Sequence, residues 1–177
     1  MIKCVRIPEE RIPILIGKNG FTRKKIQRLT ETKIRVKDDV TIEGESIAVM
    51  EACEIVKAIG RGFSPQIALK LKDEENVFCV ISIPNDRKKL KRIRSRLIGT
   101  RGNARRNLER LTGTNISVYG KTVSIIGKYD DVNDAREGAE RLITGSPHKN
   151  VYRFLEIGDH GKKNSRRYGS RAEGDKC

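Results

Sequence analysis

The chain has 177 residues, of which 36% are hydrophobic and 34% charged, and it carries a formal net charge of +15. Residues 1–72 hold 15 Lys/Arg against 9 Asp/Glu, and residues 73–177 hold 23 against 14, so both halves are basic and a neutral domain with a basic tail is excluded. Such a field calls for a polyanionic partner, nucleic acid first, and the length suits two small domains with modest cores.

Taken in chain order, residues 2–7, IKCVRI, read as a strand. Pro8 suits the first turn of a helix, and Pro13 removes a hydrogen bond from it, so that helix is expected to be short or bent. It runs into LIGKNG at 15–20, followed by the basic helical run FTRKKIQRLTET with Ile26 and Leu29 on its apolar edge. KIRVKDDVTIEG then alternates as two strands about a turn at Asp38-Asp39. A helix is expected over 46–59 behind Ser46, with Val49, Cys53 and Val56 inward and Cys53 a buried thiol. Ser64-Pro65 opens a short helix over 65–71.

NVFCVISI at 76–83 reads as the next strand. Asn85 or Asp86 caps a helix on which Leu90, Ile93 and Leu97 keep helical spacing. LIGTRG at 97–102 leads into NARRNLERLTGT, with Ala104, Leu108 and Leu111 inward. NISVYGKTVSIIG gives two more strands, and a helix over 131–143 turns Val132, Ala135, Ala139 and Leu142 inward. Ser146-Pro147 opens a short helix over 147–155. From Gly158 the apolar period stops, and a disordered basic tail is expected.

The chain is a duplication. Between Leu15–Val36 and Leu97–Val118, at an offset of 82, eleven of 22 positions are identical. Two copies are too few for a solenoid, so they read as tandem domains. The expected domains are 1–72 and 73–157, with the tail over 158–177. Runs of strands and helices in this order define an α+β class.

Each copy places G-x-x-G between two helices. Glycines there let one helix stop and the next begin at once, and let a ligand approach the backbone. The second helix then aims its free N–H groups and positive dipole end at the loop, where a phosphodiester fits. The candidate clamps are Gly17, Lys18, Asn19 and Gly20, and Gly99, Thr100, Arg101 and Gly102; neither carries a carboxylate. Arg23, Lys24, Arg105 and Arg106 add charge beside them. RKKLKRIRSR at 87–96 forms a cationic wall leading to Gly99, with Arg92, Arg96 and Ile98 as candidate contacts in an aliphatic groove.

Other chemistries lack their signatures. YGKTVS resembles the end of a P-loop, but the required first glycine falls at Asn115 and the segment joins two strands. Cys4, Cys53, Cys79 and Cys177 include no CxxC, and His148 and His160 have no ligand neighbours, so neither metal nor cofactor is expected and both histidines read as solvated. The acidic pairs Asp38-Asp39 and Asp130-Asp131 sit at a turn and a helix start, and no nucleophile–base pair is visible, so no enzymatic activity is expected. Aromatics make up 5%, which argues against stacking modules of the RRM kind. No 18-residue apolar run and no signal peptide is present, so a cytoplasmic protein without membrane association is expected.

The paired G-x-x-G loops with their strands and basic followers resemble a tandem KH protein, whose loop clamps about four nucleotides of single-stranded RNA. Few residues precede the first helix, and the extra helix follows the third strand. That order matches two eukaryotic-type (type I) KH domains, each a three-stranded sheet packed against helices. LIGTRGNARRNLERLTGTNISVYGKTVSIIG, PHKNVYRFLE and RGFSPQIALKL resemble archaeal members of the partner-of-Nob or dimethylase-interacting family of ribosome-assembly factors. The resemblance implies binding near the 3′ end of small-subunit rRNA during its maturation. It also implies three protein partners: the Nob-type endonuclease, the rRNA dimethyladenosine transferase and the α subunit of initiation factor two. The alternatives are a KH-type factor in transcription or exosome-linked decay, or the regulatory subunit of a nucleic-acid enzyme.

Overall fold

The computed structural model describes residues 1–169 except Asp38 and Asn85, with side chains described up to Gly158. The turn carboxylate Asp38, the cap candidate Asn85, the side chain of His160, and Cys177 therefore lie outside the described residues and side chains. The first unit runs β1 (Ile2–Val5), a 3-10 turn (Glu9–Arg11), α1 (Ile12–Ile16), the first G-x-x-G loop and α2 (Phe21–Thr30). It continues with β2 (Lys33–Val36), β3 (Val40–Glu43), α3 (Ser46–Gly60), α4 (Pro65–Ala68) and a 3-10 turn (Leu69–Lys72). The second repeats the order with β4 (Asn76–Ser82), α5 (Arg87–Ile98), the second loop, α6 (Asn103–Thr112), β5 (Asn115–Tyr119), β6 (Thr122–Lys128), α7 (Tyr129–Thr144) and α8 (His148–Gly169).

Both sheets are antiparallel with the third strand in the middle, β1-β3-β2 and β4-β6-β5, the type I KH arrangement. In the first, Ile42 lies opposite Lys3 on one side and Ile34 on the other. In the second, Ile125 lies between Cys79 and Ile116. Alternation does the sorting: Val40, Ile42 and Ile34 face the helices and are buried, while Thr41 and Arg35 face away. Leu15, Ile26, Ile42, Val49, Cys53 and Val56 close the first core, and Leu97, Leu108, Ile125, Val132, Ala139 and Leu142 close the second.

Local departures have physical reasons. The prolines split the first helix into a 3-10 turn behind Pro8 and the five-residue α1, which has Pro13 in its first turn. Ser46 is the first helical residue of α3 rather than its cap; Glu45 takes that place with no side-chain cap bond, because burial of one face supplies the helix's stability. Leu29 is exposed, since α2 is short and turns Ile26 and Thr30 inward. The backbone of α8 stays helical through Gly169, past the boundary expected at Gly158. Val151 and Leu155 anchor the helix, and propagation then adds one bond for each residue fixed. Residues 170–177 lie outside the described part.

The two units pack against each other through the outer face of the second sheet. Ile126 on that face is buried within the first unit's core, and Phe63 meets Phe78 edge-on at 6.4 Å between ring centroids. Ser117 Oγ donates to the Arg61 carbonyl at 2.8 Å, and Lys70 Nζ to Asn115 Oδ1 at 2.8 Å. Tyr119 donates its hydroxyl to Glu10, which raises the phenol's pKa, and the Arg11 guanidinium lies over its ring. An aromatic edge contact adds about 0.5–1.5 kcal/mol beyond the area it buries, so the interface fixes the second groove beside the first unit.

Candidate nucleic-acid interface

The two loops take one backbone conformation. Gly17, Asn19 and Gly20 have φ of 70°, 53° and 76°; Gly99, Arg101 and Gly102 have 71°, 54° and 78°. In each, the second glycine's amide bonds the first's carbonyl at 3.2 Å. The glycines serve different needs. A Cβ on Gly17 would stand 2.3 Å from Thr22 Oγ1 and 2.9 Å from the Thr22 amide nitrogen; on Gly99 it would stand 2.7 Å from both the Cβ and the amide nitrogen of Ala104. The first glycine therefore lets α1 approach α2, and α5 approach α6. The second is required only by its left-handed φ, and a Cβ on Gly102 would meet nothing. That open face is where a ligand backbone can approach. Arg101 holds the left-handed conformation at a cost of about 1–2 kcal/mol, a strain that sets an exposed guanidinium at the loop tip.

Behind each loop the same hydrogen bonds tie the second helix to the edge strand. Thr30 Oγ1 donates to the Ile26 carbonyl at 2.9 Å and meets Thr32 Oγ1 at 2.8 Å; Thr112 repeats this with Leu108 at 2.7 Å and Thr114 at 2.8 Å. The edge amide of Ile34 donates to Gln27 Oε1 at 2.7 Å, and that of Ile116 to Glu109 Oε1 at 2.8 Å. This brace places the edge strand against the helix pair and leaves a groove between them. The T-x-T repeats at 30–32 and 112–114 were visible in the sequence, but their pairing was not.

The candidate residues divide by environment. Lys18, Asn19, Thr100 and Arg101 are exposed at the loop tips, and Lys24 and Arg106 are exposed beside them. Arg106 donates to the Arg101 carbonyl at 2.6 Å and to Asn103 Oδ1 at 2.9 Å, so it braces its loop. Lys24, its counterpart in the repeat, has no such bond among the described residues. Arg105 pairs with Glu109 at 3.0 Å and also donates to the Ile116 carbonyl, whereas Arg23, one helical turn ahead of neutral Gln27 in the sequence, has its Nε buried without a partner among the described residues. The cation that the second unit neutralises in its groove thus has no carboxylate partner at the matching position of the first, among the described residues. Ile98 lines the second groove with Arg105, Ile116 and Val118, and Phe63 and Ile67 of the first unit close its far wall.

Arg96 is not brought to the groove. Its guanidinium donates to the Leu142 carbonyl at 3.3 Å and the Ser146 carbonyl at 2.7 Å, and its own carbonyl meets His148 Nε2 at 2.8 Å. His148 is therefore half-buried and bonded rather than solvated. Arg11 does the same in the first unit, donating to Ile59 and Phe63 carbonyls at 2.8 and 2.6 Å. Arg92 is exposed on the same flank of α5 as Arg96. Arg87, Lys91 and Arg94, part of the cationic wall expected from the sequence but not among its individual candidate contacts, line a trough that continues from Ile98 along the opposite flank. Their spacing of four, three and four to Ile98 was the available signal. At the start of α5, Asp86 accepts from the amides of Lys88 and Lys89, each at 3.0 Å, and these bonds hold its carboxyl below the usual range. Among the described residues no group of His, Cys, Asp or Glu could hold a metal, and no helix is long and apolar enough to cross a membrane.

Two helices meeting at a positive-φ G-x-x-G loop, on a β1-β3-β2 sheet, define each unit as a type I KH domain, and the chain as a tandem of two. Residues 74–160 match the model of the second PNO1 domain, described as a eukaryotic-type KH domain (KH-domain type I), and residues 2–58 match the general KH domain. The chain belongs to the PNO1/Dim2 family of RNA-binding KH proteins. It is 42% identical to a KH domain-containing protein of Methanocaldococcus jannaschii over 88% of this chain and 73% of that one. It is 29% identical to the RNA-binding protein pno1 of Dictyostelium discoideum, over 87% and 70% respectively. A chain in the crystal structure of an a/eIF2α–aDim2p–rRNA complex from Pyrococcus horikoshii superposes with a TM-score of 0.84 at 40% identity, covering 91% of this chain and 95% of that one.

Proposed function

We propose that this protein binds the 3′ end of small-subunit rRNA during maturation of that subunit, in the cytoplasm, holding single-stranded phosphates on its G-x-x-G loops. The observation that carries the reading is the pair of loops of one backbone conformation, each with a cation at its tip and an edge strand braced behind it, the second with an open face at Gly102 and a groove beside it. The solved relative that stands in a complex with rRNA supports the choice of RNA. The same relative supports the α subunit of initiation factor two as a protein partner. The Nob-type endonuclease and the rRNA dimethyladenosine transferase follow from the family resemblance. The protein acts by binding, presenting the RNA end to factors that carry the chemistry.

The test is crosslinking in cell extract followed by sequencing of the bound RNA. Enrichment of the small-subunit rRNA 3′ end is the expected result. Enrichment of nascent transcripts or decay intermediates instead would contradict the proposal and favour a role in transcription or exosome-linked decay.

A further inference from the structure

The clamp accounts for about four nucleotides, yet the cationic surface of the second unit continues beyond it. Helix α5 buries Ile93 and Leu97 and half-buries Leu90, and this stripe separates two basic flanks. On one flank Arg96 is bonded to the carbonyls of Leu142 and Ser146. On the other, Arg87, Lys91 and Arg94 line a trough whose lower end is Ile98. Ile98 also lines the groove behind the G-x-x-G loop, so trough and groove meet at one side chain. Residues Arg87–Ile98 contain no carboxylate. Among the described residues, the charged ends of Arg87, Lys91 and Arg94 show no hydrogen bond or ion pair.

We infer that the trough along α5 is a second segment of the RNA track, in which Arg87, Lys91 and Arg94 hold the phosphates of nucleotides flanking those gripped by the loop. This rests on the RNA-binding reading above and extends it to residues outside the clamp. From Arg87 to Ile98 the helix rises about 16 Å, long enough for several nucleotides beyond the loop. The aliphatic parts of Leu90 and Ile98 give the bases a floor, as the chain's few aromatics leave little stacking surface. Unpaired cations along a track continuous with the clamp suit a phosphodiester chain, whose next phosphates follow from those held on the loop.

The experiment compares two charge-matched double variants of the full chain, Lys91→Gln/Arg94→Gln in the trough and Lys149→Gln/Arg153→Gln on the exposed side of α8, outside the basic run and off the trough. Each is titrated with a four-nucleotide and a ten-nucleotide oligoribonucleotide from the small-subunit rRNA 3′ end, over a range of salt. The trough variant should lose at least tenfold in affinity for the longer RNA, with its salt slope falling by about 1.4, the loss of two single-strand phosphate contacts. Its affinity for the short RNA should change less than threefold, and the off-trough variant should change little with either. Equal losses in both variants, equal losses with both RNAs, or no loss at all would overturn the track. So would unchanged RNA binding with loss of an acidic protein partner. The clamp variant Thr100→Asp/Arg101→Asp separates the two readings. If it binds both RNAs as wild type does, the loop reading fails, whatever the trough does; if it loses both while the trough variant keeps the longer RNA, only the extension fails.

Discussion

Replacing the four loop glycines by alanine, one at a time, tests the division of labour read from the backbone. Gly102 sits at φ 78°, and its added Cβ meets nothing. Gly102→Ala therefore carries only the left-handed penalty of about 1–2 kcal/mol, partly offset by about 0.4–1 kcal/mol from a stiffer unfolded chain. A net loss near 1 kcal/mol lowers Tm by about 2–4 °C in a protein of this size. Gly99→Ala adds a Cβ 2.7 Å from both the Cβ and the amide nitrogen of Ala104. Part of that obstacle is backbone, so α5 and α6 must separate, and overpacking adds about 1–3 kcal/mol. Gly17→Ala should behave like Gly99→Ala, and Gly20→Ala like Gly102→Ala. Denaturant melts and titration with single-stranded RNA on the same samples give the readout. Gly102→Ala should stay folded yet bind RNA about tenfold more weakly, a change of about 1.4 kcal/mol, because its methyl stands on the open face. Equal destabilisation by Gly99→Ala and Gly102→Ala would refute the close-approach argument. A folded Gly102→Ala with unaltered RNA affinity would remove the phosphate from that face.

Three further outcomes are expected. Lys18→Asp/Asn19→Asp should cost less affinity for an rRNA 3′-end oligonucleotide than Thr100→Asp/Arg101→Asp, because Glu9 and Glu10 lie ahead of the first loop and seven cations ahead of the second; an equal or larger loss would overturn this asymmetry and make the two clamps equals. Exposed Cys4 should react with a thiol reagent near pH 8 well before Cys53, whose thiol is buried and pushed up in pKa by that burial; similar rates would contradict the packing of α3. The Asp86 carboxylate is stabilised in the folded state, so its contribution is complete above the ordinary carboxylate pKa of about 4 and is lost as pH falls through its lowered folded value. The Tm advantage of wild type over Asp86→Ala should accordingly shrink in acid, and an advantage that stays constant down to pH 2 would contradict the cap.

Much of the architecture was legible because the duplication let each half check the other. The G-x-x-G loops, the alternating strands and the inward faces of α3 and α7 follow from period and from the matched glycines. Relations between units were not legible. Ile126 follows Ile125 and so breaks its strand's alternation, which marks an apolar outward position but does not say that the first unit covers it. The fate of the arginines was equally hidden: Arg92 and Arg96 fall in one basic run with Lys91 and Arg94, and only the position of the buried stripe shows that Arg96 turns toward α7. Likewise Arg23 and Arg105 are identical positions of the repeat, separated in charge by one neighbouring difference, Gln27 against Glu109. The first unit's Phe63 and Ile67 reach the second groove through the tertiary packing of two domains, for which no local spacing gives a signal.

The central claim is that the loop backbones with their tip cations grip RNA phosphates. It is tested most directly by the salt dependence of affinity for one single-stranded rRNA 3′-end oligonucleotide, measured for wild type and for Thr100→Asp/Arg101→Asp at matched Tm. Wild type should show a linear fall of log affinity with log salt, with a slope of about −0.7 for each phosphate neutralised. The variant should bind more weakly at every salt concentration with a shallower slope and an unchanged melting temperature. A wild-type slope near zero, or a variant that matches wild type in both affinity and slope while equally stable, would contradict the account.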